Sequence, residues 1–243
     1  MRYSSRCSFP AIVMLAIGTA HAGPPLLSDD PHTVGPGRVE AIVAATAFGF
    51  EDSANVAVPL VDLTVGLFEG FDVAVALSPA FTVSPDAPVE TRGAASLGLK
   101  WQPLRGDHWN ASFTPTVSLN APLLDETNVL LPVQIEYGWK RLSLGVDGGY
   151  VVDLDHSDLW FVAVYGGWST SESLTVLAEL WGGRARGDER SAAGLTLGLD
   201  WVMPWGPHLL ASCGPGFETS VGRRVRWAAY LGLQWDFALW SRD

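Results

Sequence analysis

The sequence predicts an all-β protein, a transmembrane antiparallel β-barrel of about twelve strands with short periplasmic turns. Three observations carry that expectation. In the last predicted strand, Arg226 to Trp240, the side chains Trp227, Ala229, Leu231, Leu233, Trp235, Phe237 and Leu239 alternate with Ala228, Tyr230, Gly232, Gln234, Asp236 and Ala238. A period of two held that long sets a wholly apolar face against a small or polar one, over a length that passes the nine to eleven or so residues needed to cross a bilayer at a tilt. The polar faces are also the wrong kind for open water. A soluble barrel solvates its outside with Lys and Glu, but past residue 22 the only lysines are Lys100 and Lys140, and the polar face is mostly Gly, Ala, Ser, Thr and scattered acids. Lastly, the tryptophans gather at strand ends, as anchors at two membrane interfaces do. Trp101, Trp109, Trp139, Trp168, Trp201, Trp205 and Trp240 fall at the inner end, and Trp160, Trp181 and Trp227 at the outer. Trp235 lies inside a strand, and Trp181 has the wrong parity unless a bulge precedes it.

Residues 1–22 read as a secretory signal peptide: Arg2 and Arg6, an apolar stretch from Phe9 to Ile17, then Ala20-His21-Ala22 as a small-x-small cleavage site. Their removal takes two arginines and no acid, leaving 13 basic against 26 acidic residues and a net charge of −13. Nucleic acid is a poor partner for such a chain. One cysteine, Cys213, survives processing, so no internal disulfide can form. There is no second run of about eighteen apolar residues, which excludes a helical membrane protein and leaves a β-barrel open.

Residues 23–37 hold four prolines and the pair Asp29-Asp30 without periodicity, and are expected to form an irregular periplasmic leader. The alternative is that Asp29 and Asp30 fold back as a luminal plug. The barrel then occupies 38–243. Period-two alternation marks strands at about 38–48, 55–67, 71–78, 95–102, 112–119, 131–139, 142–147, 160–168, 174–180, 193–201 and 207–217, with the closing strand as the twelfth. Pro59 removes a ladder hydrogen bond from the second, so its register is the least determined. An even number returns both ends to the periplasm.

Two stretches carry a family resemblance. Pro25 to Glu40 (PLLSDDPHTVGPGRVE) and Pro59 to Val73 (PLVDLTVGLFEGFDV) resemble the opening and the first strand pair of an outer-membrane transporter family named for the meta pathway of phenol degradation. Where that family often has an aromatic before the turn glycine, this chain has Thr64-Val65 before Gly66. The resemblance implies a pore or transporter for passive passage of small solutes, hydrophobic or aromatic compounds among them.

Parity assigns Glu40, Asp62, Asp72, Lys100, Glu136, Asp147, Glu179, Asp200 and Asp236 to the lumen, most of them toward the periplasmic end. Enclosed like charges need water or a cation, so a hydrated passage favouring cations is one expectation; a network of acids, Lys100 and hydroxyls filling a narrow barrel is the other. The second makes the protein a non-conducting structural or adhesive barrel. At the outer rim, Arg92, Arg184, Arg186, Arg190, Arg223, Arg224 and Arg226 form a basic set suited to lipopolysaccharide phosphates or an anionic solute, with solvated loop charge as the plain alternative. Outer-membrane lipid, the barrel-assembly machinery and a small-molecule solute are the expected partners. His32, His108, His156 and His208 are isolated in sequence, with no metal-ligand spacing, no recurrent Ser/His/acid pattern and no phosphate loop. The expectation is no enzyme, no metal and no cofactor; a lipid-modifying enzyme is the remote alternative.

Overall fold

A computed structural model describes residues 25–85, 87–121, 126–154, 158–186, 191–218 and 225–239. Among these, every regular element is a strand: β1 (Arg38–Gly49), β2 (Ala54–Phe68), β3 (Phe71–Ser84), β4 (Ala87–Arg105), β5 (Trp109–Phe113), β6 (Thr116–Ala121), β7 (Glu126–Trp139), β8 (Leu142–Asp153), β9 (Leu159–Ser169), β10 (Leu174–Ala185), β11 (Ser191–Val202), β12 (His208–Glu218) and β13 (Trp227–Ala238). Each pairs antiparallel with its neighbours, and β1 pairs with β13 from Arg38↔Ala238 to Gly49↔Trp227, which closes the circle. β5 and β6 are two halves of one stave, since both lie between β4 and β7. The barrel therefore has the twelve staves the alternation predicts. The break falls at Thr114-Pro115, where proline has no N–H to give the ladder. Pairing continues across it through Leu99 N–H to the Pro115 carbonyl at 3.0 Å.

The second strand departs from its expected alternation. Val58 and Pro59 both face outward, and the β2–β3 register shifts between Ala57 and Val61. Ala57 consequently turns inward, opposite to a strict period of two. A proline in a ladder forces this kind of bulge.

Orientation follows from the two faces. Leu77, Leu97, Leu144, Val164, Leu180, Leu197 and Leu231 stand outward, all more than half exposed, while Asp72, Gln134, Glu179 and Thr116 are fully enclosed. Apolar outside and polar inside inverts a soluble protein, and an exposed apolar band of this extent needs lipid around it. At one end the connections are short, such as Glu69-Gly70 and Lys140-Arg141, and both ends of the barrel sequence lie there; we call this the terminal end and the opposite one distal. Trp101, Trp109, Trp139, Trp168 and Trp205 ring the terminal end, well exposed, with Trp201 and Trp235 less so; Trp160 and Trp227 mark the distal end. Trp181 is the exception that parity foretold. It faces the lumen, only 4% exposed, and its indole N–H donates to the Thr196 hydroxyl at 3.1 Å. Its ring lies over Gly194, where a Cβ would come within 2.3 Å of it, so the close approach needs glycine.

Candidate functional site: the lumen and the segment inside it

The leader does not lie outside the barrel. Residues 25–34 run up through the lumen, so of the two placements open from sequence the structure shows the luminal one. The chain enters at the terminal mouth, where Gly37 N–H donates to the Gly66 carbonyl at 2.8 Å. Gly35 has φ +89°, and its carbonyl oxygen lies 1.8 Å from where a Cβ on Gly66 would be; both glycines are required by the crossing.

From there the contacts climb in order. Val34 N–H donates to Asp72 Oδ2 at 2.9 Å. The Thr33 amide and hydroxyl both donate to Gln102 Oε1, at 3.3 and 3.0 Å. His32 Nε2 sits 3.0 Å from Glu136 Oε1, and this partner raises the imidazole above its ordinary pKa. The Asp29 amide donates to Asp147 Oδ2 at 3.0 Å, and the Leu27 and Ser28 amides share the Glu179 carboxylate at 2.9 and 2.7 Å. Ser212 Oγ donates to the Pro25 carbonyl. An irregular segment in a barrel has unmet backbone donors and a polar lumen has unmet carboxylates, and each satisfies the other.

Lys100 anchors this arrangement. Its ammonium lies 2.8 and 3.0 Å from the two Asp29 oxygens, and also donates to the Asp30 and His32 carbonyls at 2.9 and 3.3 Å. Gln134, wholly buried, accepts from Ser112 and donates to Asp147 at 3.3 Å, tying the middle of the wall to the same network.

All nine residues expected in the lumen have inward parity. Asp72, Lys100, Glu136, Asp147 and Glu179 hold the leader directly. Glu40 and Asp62 join Asp72 around a cavity of about 220 Å³ near the terminal end. Glu40 accepts from Gln234 Nε2 at 2.8 Å, and Asp62 from Thr64 at 3.2 Å. Asp200 and Asp236 flank His208 at the mouth, 2.9 and 3.6 Å from its two ring nitrogens. His208 and His32 are thus not isolated, as their sequence neighbourhood suggests; their acids lie on other strands. His108 meets the Gly138 carbonyl through Nδ1 at 2.9 Å, and His156 lies outside the described residues.

The distal half of the lumen is different in kind. Phe48, Phe50, Ala163, Trp181, Val225 and Ala228 form one buried apolar cluster, and Leu130, Val151, Leu159, Phe161 and Ala185 another; Leu27 packs against both. Sequence parity could have flagged Phe48, Phe161 and Trp181 as luminal, but a large apolar side chain at an inward position reads as noise in an otherwise small-or-polar face.

Of the rim arginines, Arg186 lies 3.9 Å from Asp158 and Arg226 is 2.7 Å from Glu51, so each answers a separate acid. Arg184 faces outward, while Arg92 has inward parity and is half-buried rather than part of an outer loop. Arg190, Arg223 and Arg224 lie outside the described residues, as do the expected signal peptide and Trp240.

Among solved structures the chain resembles an outer-membrane channel, the COG4313 channel of Pseudomonas putida F1, with TM-score 0.68 and 12% identity over 86% of this chain and 99% of that one. It resembles the KdgM porin with TM-score 0.59 and 7% identity over 81% and 99%. It also resembles the translocator domain of the autotransporter NalP from Neisseria meningitidis, with TM-score 0.63 and 11% identity over 93% and 95%. No family model and no curated protein matches the sequence. The chain has the fold of outer-membrane barrels. Two channels and a translocator share it, so the fold alone leaves the task open.

Proposed function

We propose that the protein is an outer-membrane channel for passive passage of small solutes, with its terminal end in the periplasm, closed in this conformation by residues 25–34. One observation carries the reading. The wall is a complete circle without the leader, which among the described residues is held through side chains of the lumen and the glycine crossing at the mouth. Withdrawing it would leave the terminal half lined mainly by carboxylates, Lys100, amides and hydroxyls, with one apolar patch around Ile42, Leu60 and Leu210, a surface that water wets. The short turns and the girdle of tryptophans support the orientation.

For the solute, the apolar collar of Phe48, Phe161 and Trp181 at the distal entrance, together with the likeness of Pro25 to Glu40 and of Pro59 to Val73 to the meta-pathway transporters, favours a compound with a hydrophobic or aromatic body. The acidic terminal half favours a cation over an anion. The same collar supports a second reading, a non-conducting structural barrel.

Planar-bilayer recording separates the two. Three proteins would be compared: the mature chain, a chain lacking residues 23–34, and Gly66→Ala, which pushes on the Gly35 carbonyl without touching any acid. The channel reading expects small or intermittent current from the mature chain and a several-fold rise in both variants, with the reversal potential in a salt gradient on the cation side. Silence from all three over a range of salt and voltage would leave the structural reading.

A further inference from the structure

The cavity of about 220 Å³ at the terminal end has more acceptors than donors. Six carboxylates border it, those of Asp29, Asp30, Glu40, Asp62, Asp72 and Asp236. The cations are Arg38 and Lys100, with His32 when protonated. Lys100 has nothing left to give. An ammonium carries three donors, and this one already meets Asp29 and the carbonyls of Asp30 and His32.

Two buried acceptors on opposite sides of the β1–β2 pair remain without a partner in the protein. Asp72 is 1% exposed; Oδ2 accepts from Val34, and Oδ1 accepts from nothing. Gln234 is 6% exposed; Nε2 donates to Glu40 and Asp236, and Oε1 accepts from nothing. Both residues border the cavity. Buried acceptors in this state call for something that completes them, water or a bound group, and these two face one cavity.

The chemistry of the occupant follows from the surplus. Water could satisfy the two oxygens, but six carboxylates beside two permanent cations leave a surplus of negative charge that favours a cation as the occupant. A metal ion would need its oxygen ligands to converge within about 2.0–2.6 Å. Among the described residues no three His, Cys, Asp or Glu side chains gather closely enough to hold one. Acids spread around a volume far above the roughly 10–15 Å³ that one water needs instead suit a longer cation with N–H donors at more than one place. The geometry points to a binding site for a short aliphatic diamine, its ammonium groups donating to Asp72 Oδ1 and Gln234 Oε1 and neutralising the neighbouring carboxylates.

The site goes beyond the channel reading and needs no transport step to be tested. Titration calorimetry on the detergent-purified mature protein at neutral pH would use 1,4-diaminobutane, with 1,4-butanediol as the neutral molecule of the same length and magnesium chloride as the metal probe. The expected result is saturable binding of the diamine alone, weakened at least tenfold by Asp72→Asn and by Gln234→Leu. Variants on two different strands keep the test standing if one of them fails to fold. Equal heats for diamine and diol, binding of magnesium in place of the diamine, or unchanged affinity in the folded variants would overturn the site. Any of these could occur in a protein that conducts, so the site and the channel fail separately.

Discussion

In the distal half of the lumen, Phe161 from β9 packs with Leu130, Val151 and Leu159, and Phe48 from β1 with Trp181 from β10, two apolar clusters bridged by Leu27. Toward the terminal half such packing is confined to one side of the wall, where Ile42, Ala44, Leu60, Leu210 and Tyr230 meet. The remaining space is taken by the leader, whose amides reach the carboxylates of Asp72, Asp147 and Glu179, and by the acid-lined cavity. The two halves are closed by different physics. Apolar contacts are non-directional and cooperative with the fold of the wall, whereas hydrogen bonds from an irregular segment exchange for bonds to water at modest net gain. The distal collar is therefore coupled to the stability of the wall, and the leader, which reaches that collar through Leu27, is the part that can leave.

The strongest way to break that distinction is to damage the core. Trp181→Ala removes a buried indole and its bond to Thr196, and a truncation of this kind costs about 3–5 kcal/mol. We expect a clear fall in the thermal unfolding temperature of the folded barrel in detergent, read by loss of its strand circular dichroism. An unchanged temperature would mean that the distal cluster is lining and not core.

A smaller effect is expected from Glu179→Gln, which leaves the wall packed but takes the charge from a carboxylate that accepts the Leu27 and Ser28 amides at 2.9 and 2.7 Å. Hydrogen bonds to a charged group contribute about 1.5–3 kcal/mol net, so amide exchange in residues 25–30 should speed roughly ten- to hundredfold while the unfolding temperature moves little. A large fall in that temperature would show the leader to be part of the wall's stability, and the contrast between the halves would collapse.

Most of the wall was legible in the sequence because alternation over a dozen residues admits few other structures, and because lipid and lumen demand opposite chemistries at successive positions. Val58-Pro59 is where it failed locally, whereas Thr114-Pro115 keeps the alternation across a split in the strand, since a proline signals a defect in the ladder without saying whether the strand bulges or splits. The nine ionic positions were readable by parity alone. Their partners were not. Leu27 to Val34 has no period, and its match to Glu179, Asp147, Lys100, Glu136, Gln102 and Asp72 exists only once five strands have brought those side chains round one axis. Asp29-Asp30 as a possible plug was visible, but burial of backbone amides, which decides it, leaves no mark in side-chain pattern. Trp181 shows the converse case: its parity was correct, and its size suggested an interface anchor.

The least of the expected effects lies at His32, half-exposed near the mouth and paired with Glu136, with Asp30 and Lys100 also acting on it. Its pKa is raised in the docked leader, chiefly by the Glu136 bond, and would return to about 6.5 in a released one. A group with a raised pKa in the docked state binds its proton more tightly there. It contributes to docking fully below about 6.5, and that contribution is lost as pH rises through the docked value. Exchange of the leader amides, corrected for the intrinsic dependence on pH, should therefore be slower at pH 6 than at pH 8. His32→Ala should flatten that difference without abolishing protection, because Lys100 and the carboxylates hold the rest of the segment. An undiminished pH dependence in the variant would assign the titration to the luminal acids and remove His32 from the latch.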